Sequence, residues 1–315
     1  MKILVTGGAG FIGSNLLEFL VKRGYEVVGL DCYTPYYSVN QKRVNARDLN
    51  SLGVSIRELD LAKDNLSDVV MDIDVIFHLA AQPGISSDIS LDDYIRNNII
   101  ATHRLLESVK NSKSLQMFVN ISTSSVYGLN ATVEEDKAPL PASYYGVTKL
   151  AAEQLVLSYQ RQGFIQACSA RLFSIYGPRE RPDKLFPRLI KSILRKEEFP
   201  LYEGSEKHLR SFTYVLDVVS ALELFLKNTD KVNGEIFNVG SDKCISTKKA
   251  IEIVEDVMGK KAKAKIFPQR LGDQYKTHAN IGKICRVIGW NPEFSPEKGL
   301  KDTVLWYEKN LKDLP

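Results

Sequence analysis

The sequence has little of what marks a metal centre, a disulfide scaffold or a membrane protein. The four cysteines form no C-x-x-C pair, so neither a zinc site nor a disulfide framework is indicated and reduced thiols in the cytoplasm are expected. They are Cys32, Cys168, Cys244 and Cys285. No apolar run approaches the roughly 20 residues that span a bilayer. The first residues enter a strand-like run directly, so no signal peptide is expected.

The net charge is also small. The formal net charge is +4 over 315 residues, and the basic residues are not concentrated in one arm. Nucleic-acid binders usually carry a basic stripe with interleaved aromatics, so the lysine-rich stretch 260–265 is interpreted as solvated surface and no nucleic-acid partner is expected. Glycine (20) and proline (12) are too few for a disordered or fibrous protein. With 44% hydrophobic residues, the chain has material for one large or two modest domains.

Strand-like apolar runs alternate with amphipathic helical patterns through most of the first 240 residues. Helices are predicted at 12–22, 94–110 and 185–195, from leucine and isoleucine at helical spacing. Repeated strand–helix units indicate an α/β fold, a doubly wound parallel sheet of the Rossmann type. The strands are predicted at 2–6, 26–30, 54–58, 75–79, 117–121, 166–173 and 235–240.

The strand–helix pattern breaks after Tyr176, where Gly177-Pro178 and a loop follow. The strand predicted at 235–240 then returns to the first sheet. We therefore expect a dinucleotide-binding domain of residues 1–173 plus about 213–240. A smaller, interleaved C-terminal domain of residues 174–212 and 241–315 would bind the substrate.

Three glycines, Gly7, Gly10 and Gly13, follow the first predicted strand and open the first helix. Glycine suits a tight turn, a close approach to a pyrophosphate, and close packing of helix on strand. Asp31 ends the second strand, where a carboxylate can accept both ribose hydroxyls and would repel the 2′-phosphate of NADP. Taken alone, the glycines would suit an ordinary strand–helix turn and Asp31 a cap. Together they favour NAD.

Tyr145 and Lys149 are four residues apart in a helical stretch, so their side chains share one face. An ammonium beside a phenol favours the phenolate, which would serve as a base near neutral pH. Such a spacing is common by chance. Here it follows a strand that ends in the hydroxyl-rich segment 120–125, and the carboxyl ends of parallel strands face the crevice where ligands bind.

Four short segments carry a resemblance to a known family. They are TGGAGFIG at 6–13, HLAA at 78–81, SVYG at 125–128 and YGVTK at 145–149. Jointly they resemble the extended short-chain dehydrogenase/reductases, and within them the nucleotide-sugar epimerases and dehydratases. The likeness covers nearly the whole chain.

This resemblance implies bound NAD, a UDP-sugar substrate, no metal and a homodimer. It implies a catalytic set of Thr123, Tyr145 and Lys149, with Lys149 also holding a ribose hydroxyl of NAD. It assigns the diphosphate to Arg210 and Arg270, each of which would otherwise be interpreted as a surface residue. The other implied NAD contacts are Gly7, Gly10, Phe11, Ile12, Gly13, Asp31, Asp60, Leu61, Ala80 and Ala81. The other implied substrate contacts are Ser124, Ser125, Ser174, Arg181 and Arg188.

Three features indicate the branch of this family. Dehydratases and UDP-glucuronate decarboxylases carry a carboxylate after the catalytic threonine, where this chain has Ser124-Ser125. Segments 31–42 and 78–84 resemble those of UDP-glucuronate 4-epimerases, and Arg181 would clamp the C6 carboxylate of the sugar. Ser174 stands where glucose and galactose epimerases usually have asparagine. The bland alternative for Arg181 is a surface ion pair.

The activity implied is interconversion of UDP-glucuronate and UDP-galacturonate, by oxidation at C4 with tightly bound NAD, rotation of the 4-keto sugar and reduction. Alternatives within the family are a 4-epimerase of UDP-glucose or UDP-N-acetylglucosamine, and a decarboxylase or dehydratase that works without the usual glutamate. A non-catalytic NAD-sensing protein is a further alternative, because a fold does not guarantee activity. The intact Thr123, Tyr145 and Lys149 disfavour it.

Overall fold

Strands and helices alternate through the chain in the computed structural model, which describes residues 1–85, 88–268 and 275–311. The strands are β1 (Lys2–Thr6), β2 (Glu26–Asp31), β3 (Ile56–Glu58), β4 (Val75–His78), β5 (Met117–Thr123), β6 (Ala167–Leu172), β7 (Ile175–Tyr176), β8 (Glu198–Tyr202), β9 (Leu209–Arg210), β10 (Thr213–Tyr214), β11 (Ile236–Val239), β12 (Ile245–Ser246) and β13 (Lys263–Phe267). The helices are α1 (Phe11–Lys22), α2 (Val39–Asn50), α3 (Ser67–Val70), α4 (Leu91–Tyr94), α5 (Ala101–Val109), α6 (Tyr144–Arg161), α7 (Leu185–Arg195), α8 (Val215–Lys227), α9 (Thr229–Val232), α10 (Thr247–Met258), α11 (Gly282–Ile288) and α12 (Pro296–Asn310).

The large sheet has the strand order β11-β6-β5-β4-β1-β2-β3, and every pairing in it is parallel. The order reverses between β1 and β4, which creates a crevice at the carboxyl ends of these strands, the usual ligand position in such sheets. This is the doubly wound Rossmann topology, so the predicted fold class is confirmed. The strand predicted at 235–240 is β11, which pairs with β6 as expected.

The sheet is buried on both faces, which explains its nearly continuous apolar strands. Along β1, Ile3 and Val5 belong to one hydrophobic cluster and Leu4 to another, because successive side chains of a strand point to opposite faces. Leu16 of α1 packs in the first cluster and Leu105 of α5 in the second. Helices on both sides therefore hold the strand ends, and the site at those ends, in place.

The structure differs in one respect from the single helix predicted at 94–110. A π-helical stretch, Ile95–Ile100, joins α4 to α5. The leucine and isoleucine spacing that predicted this helix does not reveal a local change in its hydrogen-bonding pattern. Asn98 is the buried residue of this stretch, and its side chain bonds to two other elements near the site.

The smaller strands lie outside the large sheet. β7 pairs with β10 and β8 with β13, both in parallel, whereas β9 pairs with β12 in antiparallel. Helices α7, α10 and α12 pack on one another. The division into two domains stays a prediction. Among the residues described, no helix has both the length and the apolar character that crossing a bilayer requires.

Candidate active site

The glycine loop after β1 leaves no room for side chains. Gly7 has a φ of 70°, and a Cβ there would lie 2.9 Å from the backbone nitrogen of Ala80. A Cβ on Gly13 would lie 2.2 Å from the carbonyl oxygen of Gly7. Helix α1 begins after Gly10, and no side chain caps it. First-turn N–H groups, which include those of Phe11, are thereby left for an anionic ligand.

Asp31 is oriented beside this loop at the end of β2. Its Oδ2 accepts from the N–H of Ala9 at 3.1 Å and its Oδ1 from the N–H of Tyr33 at 2.8 Å. The ammonium of Lys42 lies 3.8 Å from Oδ1, and burial lowers the pKa of Lys42. The carboxylate is thus fixed next to the glycine loop, which suits the ribose diol of a dinucleotide.

The other predicted cofactor contacts lie at the ends of β3 and β4. Asp60 pairs with Arg96 at 2.5 Å, and Leu61 is buried beside it. The backbone N–H of Ala80 donates to the Thr6 hydroxyl at 3.1 Å, and half-buried Ala81 follows. Ile12 and Gly13 lie in the first turn of α1. The predicted cofactor residues therefore line the carboxyl edge of the sheet on both sides of β1.

Tyr145 lies in the first turn of α6 and hydrogen-bonds to Thr123 at the end of β5. Burial raises the pKa of the Tyr145 phenol, whereas the hydrogen bond with Thr123 and the charge of Arg181 act in the opposite direction. Thr123 and Arg181 thus favour the ionised phenol, and the effect of Lys149 on it stays a prediction. Lys149 is buried one turn later, and burial lowers its pKa to about 8.

Asn98 connects helix α6 to the loop after β4. Its Nδ2 donates to the Thr148 hydroxyl at 2.9 Å, and its Oδ1 accepts from the N–H of Gln82 at 2.7 Å. Thr148 immediately precedes Lys149, so this contact fixes the turn of α6 that carries the lysine. Asn98 was not predicted as a site residue, because its only signal in the sequence is an asparagine within an apolar helical pattern.

Ser124 and Ser125 begin a 3₁₀ turn, Ser124–Tyr127, directly after β5. The Thr123 hydroxyl accepts from the N–H of Ser125 at 3.1 Å and donates to its Oγ at 3.3 Å. Thr123 and both serines therefore lie together at the carboxyl end of β5, as predicted.

Arg181 is buried in the loop between β7 and α7, with 7% of its surface exposed. Its Nη1 donates to the Pro83 carbonyl at 3.2 Å, and its Nη2 lies 3.2 Å from the Asp183 carboxylate. The guanidinium lies 5.2 Å from the centre of the Tyr36 ring. A Cβ on Gly84 would lie 2.9 Å from Nη2, so glycine makes room for it. Arg181 is therefore not a surface ion pair.

Two tyrosines that the sequence argument did not assign complete this side of the site. Tyr94 donates its hydroxyl to the carbonyl of Gly84 at 2.7 Å, and its ring centre lies 6.3 Å from that of Tyr145. Tyr36, whose ring lies beside Arg181, raises the pKa of Tyr145. The guanidinium of Arg181 and the phenol of Tyr145 thus belong to one cluster.

The remaining predicted substrate residues lie further along the chain. Ser174 has a φ of 41°, and its hydroxyl lies 3.4 Å from that of Thr277. Arg188 is half-buried on α7, and Arg210 on β9 donates to the carbonyl of Leu209 at 3.0 Å. None of the contacts described joins these three to Tyr145. Arg270 lies outside the described residues.

The site combines a dinucleotide crevice with a phenol, a threonine and a lysine that suit proton transfer. The glycine cradle, the uncapped α1 and the Asp31 carboxylate fit NAD, whose nicotinamide supplies a reversible hydride acceptor. Within residues 1–85, 88–268 and 275–311, no three His, Cys, Asp or Glu side chains are placed to hold a metal ion. Fold and site together define a Rossmann-type enzyme of hydride transfer.

Comparison with known proteins gives the family. Residues 3–240 match the NAD dependent epimerase/dehydratase family, and the chain belongs to it. It is 37% identical to an uncharacterised UDP-glucose epimerase of Bacillus subtilis, over 97% of this chain and 98% of that protein. It is 34% identical to UDP-glucuronate 4-epimerase 5 of Arabidopsis thaliana, over 98% of this chain and 75% of that protein. The crystal structure of UDP-glucuronic acid 4-epimerase from Bacillus cereus, in complex with UDP-glucuronic acid and NAD, matches with a TM-score of 0.92 and 36% identity, covering 98% of this chain and 99% of that one.

Proposed function

We propose that the protein interconverts UDP-glucuronate and UDP-galacturonate through transient oxidation at C4. The observation that carries this proposal is Arg181, a buried guanidinium in the same cluster as Tyr145. A guanidinium has five donors, so its bonds to Pro83 and Asp183 leave N–H groups for a substrate carboxylate. The similarity to UDP-glucuronate 4-epimerases supports the same substrate.

In the proposed reaction, Tyr145 takes the proton of the C4 hydroxyl. Thr123 hydrogen-bonds that oxygen, and Lys149 holds the phenol and a ribose hydroxyl of the cofactor. Bound NAD supplies the hydride acceptor for C4 oxidation and the hydride for its reversal. Rotation of the 4-keto sugar presents its other face before Tyr145 returns the proton. No net oxidation occurs, so the cofactor is regenerated in each turnover.

The proposed intermediate carries a hazard. Its C4 ketone is β to the C6 carboxylate, and β-keto acids lose carbon dioxide when the C5–C6 bond stands perpendicular to the carbonyl plane. Ser124 and Ser125 lie beside Thr123, and no carboxylate replaces them. We propose that both hydroxyls and Arg181 hold the substrate carboxylate so that this bond stays near the carbonyl plane.

The remaining assignments belong to the same proposal. The two-domain division at the bounds given above is part of it. Cytoplasmic location is also part of it, because cytosol keeps thiols reduced and all four cysteines are free. The proposed NAD contacts are Gly7, Gly10, Phe11, Ile12, Gly13, Asp31, Asp60, Leu61, Ala80, Ala81 and Lys149. The proposed substrate contacts are Ser124, Ser125, Ser174, Arg181, Arg188, Arg210 and Arg270.

We also propose a homodimer formed through α5 and α6. Helix α6 packs on α5 and on the π-helical stretch Ile95–Ile100 that precedes α5. On α6, Tyr144 and Val147 are 57% and 48% exposed, and Ile100, the last residue of the π-helical stretch, is 45% exposed. A second copy of the chain would remove this apolar surface from water.

The second candidate function is 4-epimerisation of UDP-glucose, which the similarity to the Bacillus subtilis protein favours. Glucose has no charge at C6, so Arg181 distinguishes the two candidates. The experiment measures the conversion of UDP-glucuronate and UDP-glucose by NMR, together with the Kd of each for the NAD-loaded enzyme. It compares the parent with Arg181→Ala and with Arg57→Ala, an exposed arginine that serves as the control.

We expect Arg181→Ala to weaken UDP-glucuronate turnover about 10- to 150-fold, as for a charge-assisted hydrogen bond. UDP-glucose should lose far less, and residual glucuronate turnover should release more UDP-pentose. Arg57→Ala should change neither sugar. Equal losses on both sugars would show that Arg181 supports the fold or the diphosphate, and the glucuronate assignment would lose its physical basis.

A further inference from the structure

Gln41 lies in the first turn of α2, and its side chain reaches a distant part of the chain. Its backbone N–H donates to the hydroxyl of Ser38, the N-cap, at 3.2 Å. Its Nε2 donates to the carbonyl oxygens of Arg179 at 3.0 Å and Glu180 at 2.9 Å. Gln41 is only 1% exposed. Such a buried amide fixes the two carbonyls that it contacts.

The backbone that Gln41 holds is strained. Arg179 has a φ of 71°, in the left-handed region that side chains disfavour. Such conformations persist when several neighbours impose them. Helix α1 supplies two of these neighbours, since Glu18 pairs with the Arg179 guanidinium at 2.6 Å and Asn15 donates to the Pro178 carbonyl at 3.0 Å.

A second helix, α12, contacts one of the two carbonyl oxygens that Gln41 holds, that of Glu180. Tyr307 of α12 donates its hydroxyl to the Glu180 carbonyl. This oxygen therefore receives donors from α2, beside the NAD site, and from α12, near the C-terminus. Gln41 and Tyr307 together hold the peptide that immediately precedes Arg181.

We infer that Gln41 is a specificity-positioning residue, which fixes the loop so that Arg181 meets the C6 carboxylate of the substrate. The inference rests on the proposed role of Arg181. Gln41 acts through the backbone carbonyls one and two residues before that arginine and touches neither the sugar nor the cofactor in this scheme. Its loss should therefore affect the discrimination between charged and uncharged sugars more than proton transfer at C4.

The test measures the ratio of the Kd values of UDP-glucose and UDP-glucuronate for the NAD-loaded enzyme by calorimetry, together with KM and kcat for UDP-glucuronate. Gln41→Leu removes both donated hydrogen bonds at similar side-chain size. We expect the preference for UDP-glucuronate to fall about 3- to 10-fold, as for the loss of one to two neutral hydrogen bonds. KM should rise with little change in kcat. Asn228→Leu, which removes a side-chain hydrogen bond to the Leu224 carbonyl far from the loop, should leave the ratio unchanged.

The double variant Gln41→Leu/Arg181→Ala distinguishes this inference from the proposed function. If Gln41 acts through Arg181, the double variant should match Arg181→Ala in its Kd ratio. The inference is overturned if Gln41→Leu leaves the Kd ratio unchanged. It is also overturned if Gln41→Leu changes this ratio by the same factor in the Arg181→Ala background as in the parent. A ratio that Arg181→Ala itself leaves unchanged overturns the proposed function first. If Gln41→Leu fails to fold, Tyr307→Phe is decisive, since it removes one donor from the same carbonyl and should shift the ratio in the same direction.

Discussion

The ion pair between Arg171 and Glu153 joins β6 to α6 and permits a quantitative prediction. Arg171 on β6 donates to both carboxylate oxygens of Glu153, at 2.7 and 3.0 Å, and to the Tyr127 hydroxyl at 2.8 Å. Both charged side chains are almost completely buried. Glu153 lies one turn after Lys149 on α6, and its charge opposes the effect of burial on the pKa of Lys149.

Arg171→Met should destabilise the protein by about 3–5 kcal/mol, because removing one partner leaves a buried charge without compensation. In a chain of this size the loss corresponds to a fall in Tm of roughly 5–8 °C. Ser169, 3.3 Å from the Glu153 carboxylate, remains as a weak partner. Urea unfolding followed by tryptophan fluorescence measures the free energy of unfolding, with Arg57→Met, on the exposed side of β3, as the control.

The pH dependence checks the cause of this loss. An uncompensated buried carboxylate favours its protonated form, so the folded variant would bind more protons than the unfolded chain. Its free energy of unfolding should then fall as the pH rises, which makes the loss larger at pH 8 than at pH 5. The double variant Glu153→Leu/Arg171→Met should recover most of the stability, since no charge stays buried. A loss that is equal at both pH values, or a double variant less stable than Arg171→Met, would refute this reasoning.

Two further predictions concern the site and the assembly. Tyr145→Phe should abolish turnover while the Kd for UDP-glucuronate stays nearly unchanged, because the phenol transfers a proton more than it binds the sugar; a tenth of the parent kcat would exclude Tyr145 as the base. Val147→Asp should convert the proposed dimer to monomer in sedimentation velocity, whereas Leu305→Asp, an equally exposed change on α12, should not; a parent that sediments as a monomer would contradict the dimer.

The fold was predictable because its signals are local. Apolar runs that end in turn residues gave β1, β4 and β5 to within two residues, since strands buried on both faces are apolar throughout. The glycines after β1 and the carboxylate at the end of β2 mark the crevice by chemistry as well as by position. Tyr145 and Thr123 meet because both lie at the carboxyl edge of one parallel sheet, which the strand–helix alternation already implied.

The contacts that hold the site were not predictable, because each joins residues that are distant in sequence. Asn98 bonds to Thr148 across 50 residues, and Gln41 reaches the Arg179 carbonyl across 138. A polar residue in a helical pattern suggests solvent exposure by default, and neither asparagine nor glutamine has a spacing rule that names its partner. Both are buried here, so each needed a partner that only the tertiary fold supplies.

Helix α2 shows why neighbouring positions in the sequence receive different roles. Lys42 reaches back to the Thr34 carbonyl at 3.0 Å and lies 3.8 Å from Asp31, whereas the preceding Gln41 reaches the loop before Arg181. Successive helix positions point about 100° apart, so one turn of α2 serves the proposed cofactor carboxylate and the proposed substrate guanidinium at once. A shift of this turn would therefore disturb NAD and the charged sugar together. Gln41→Leu removes the contacts with the loop and leaves those of Lys42 with Thr34 and Asp31, and for this reason it separates selectivity from cofactor binding.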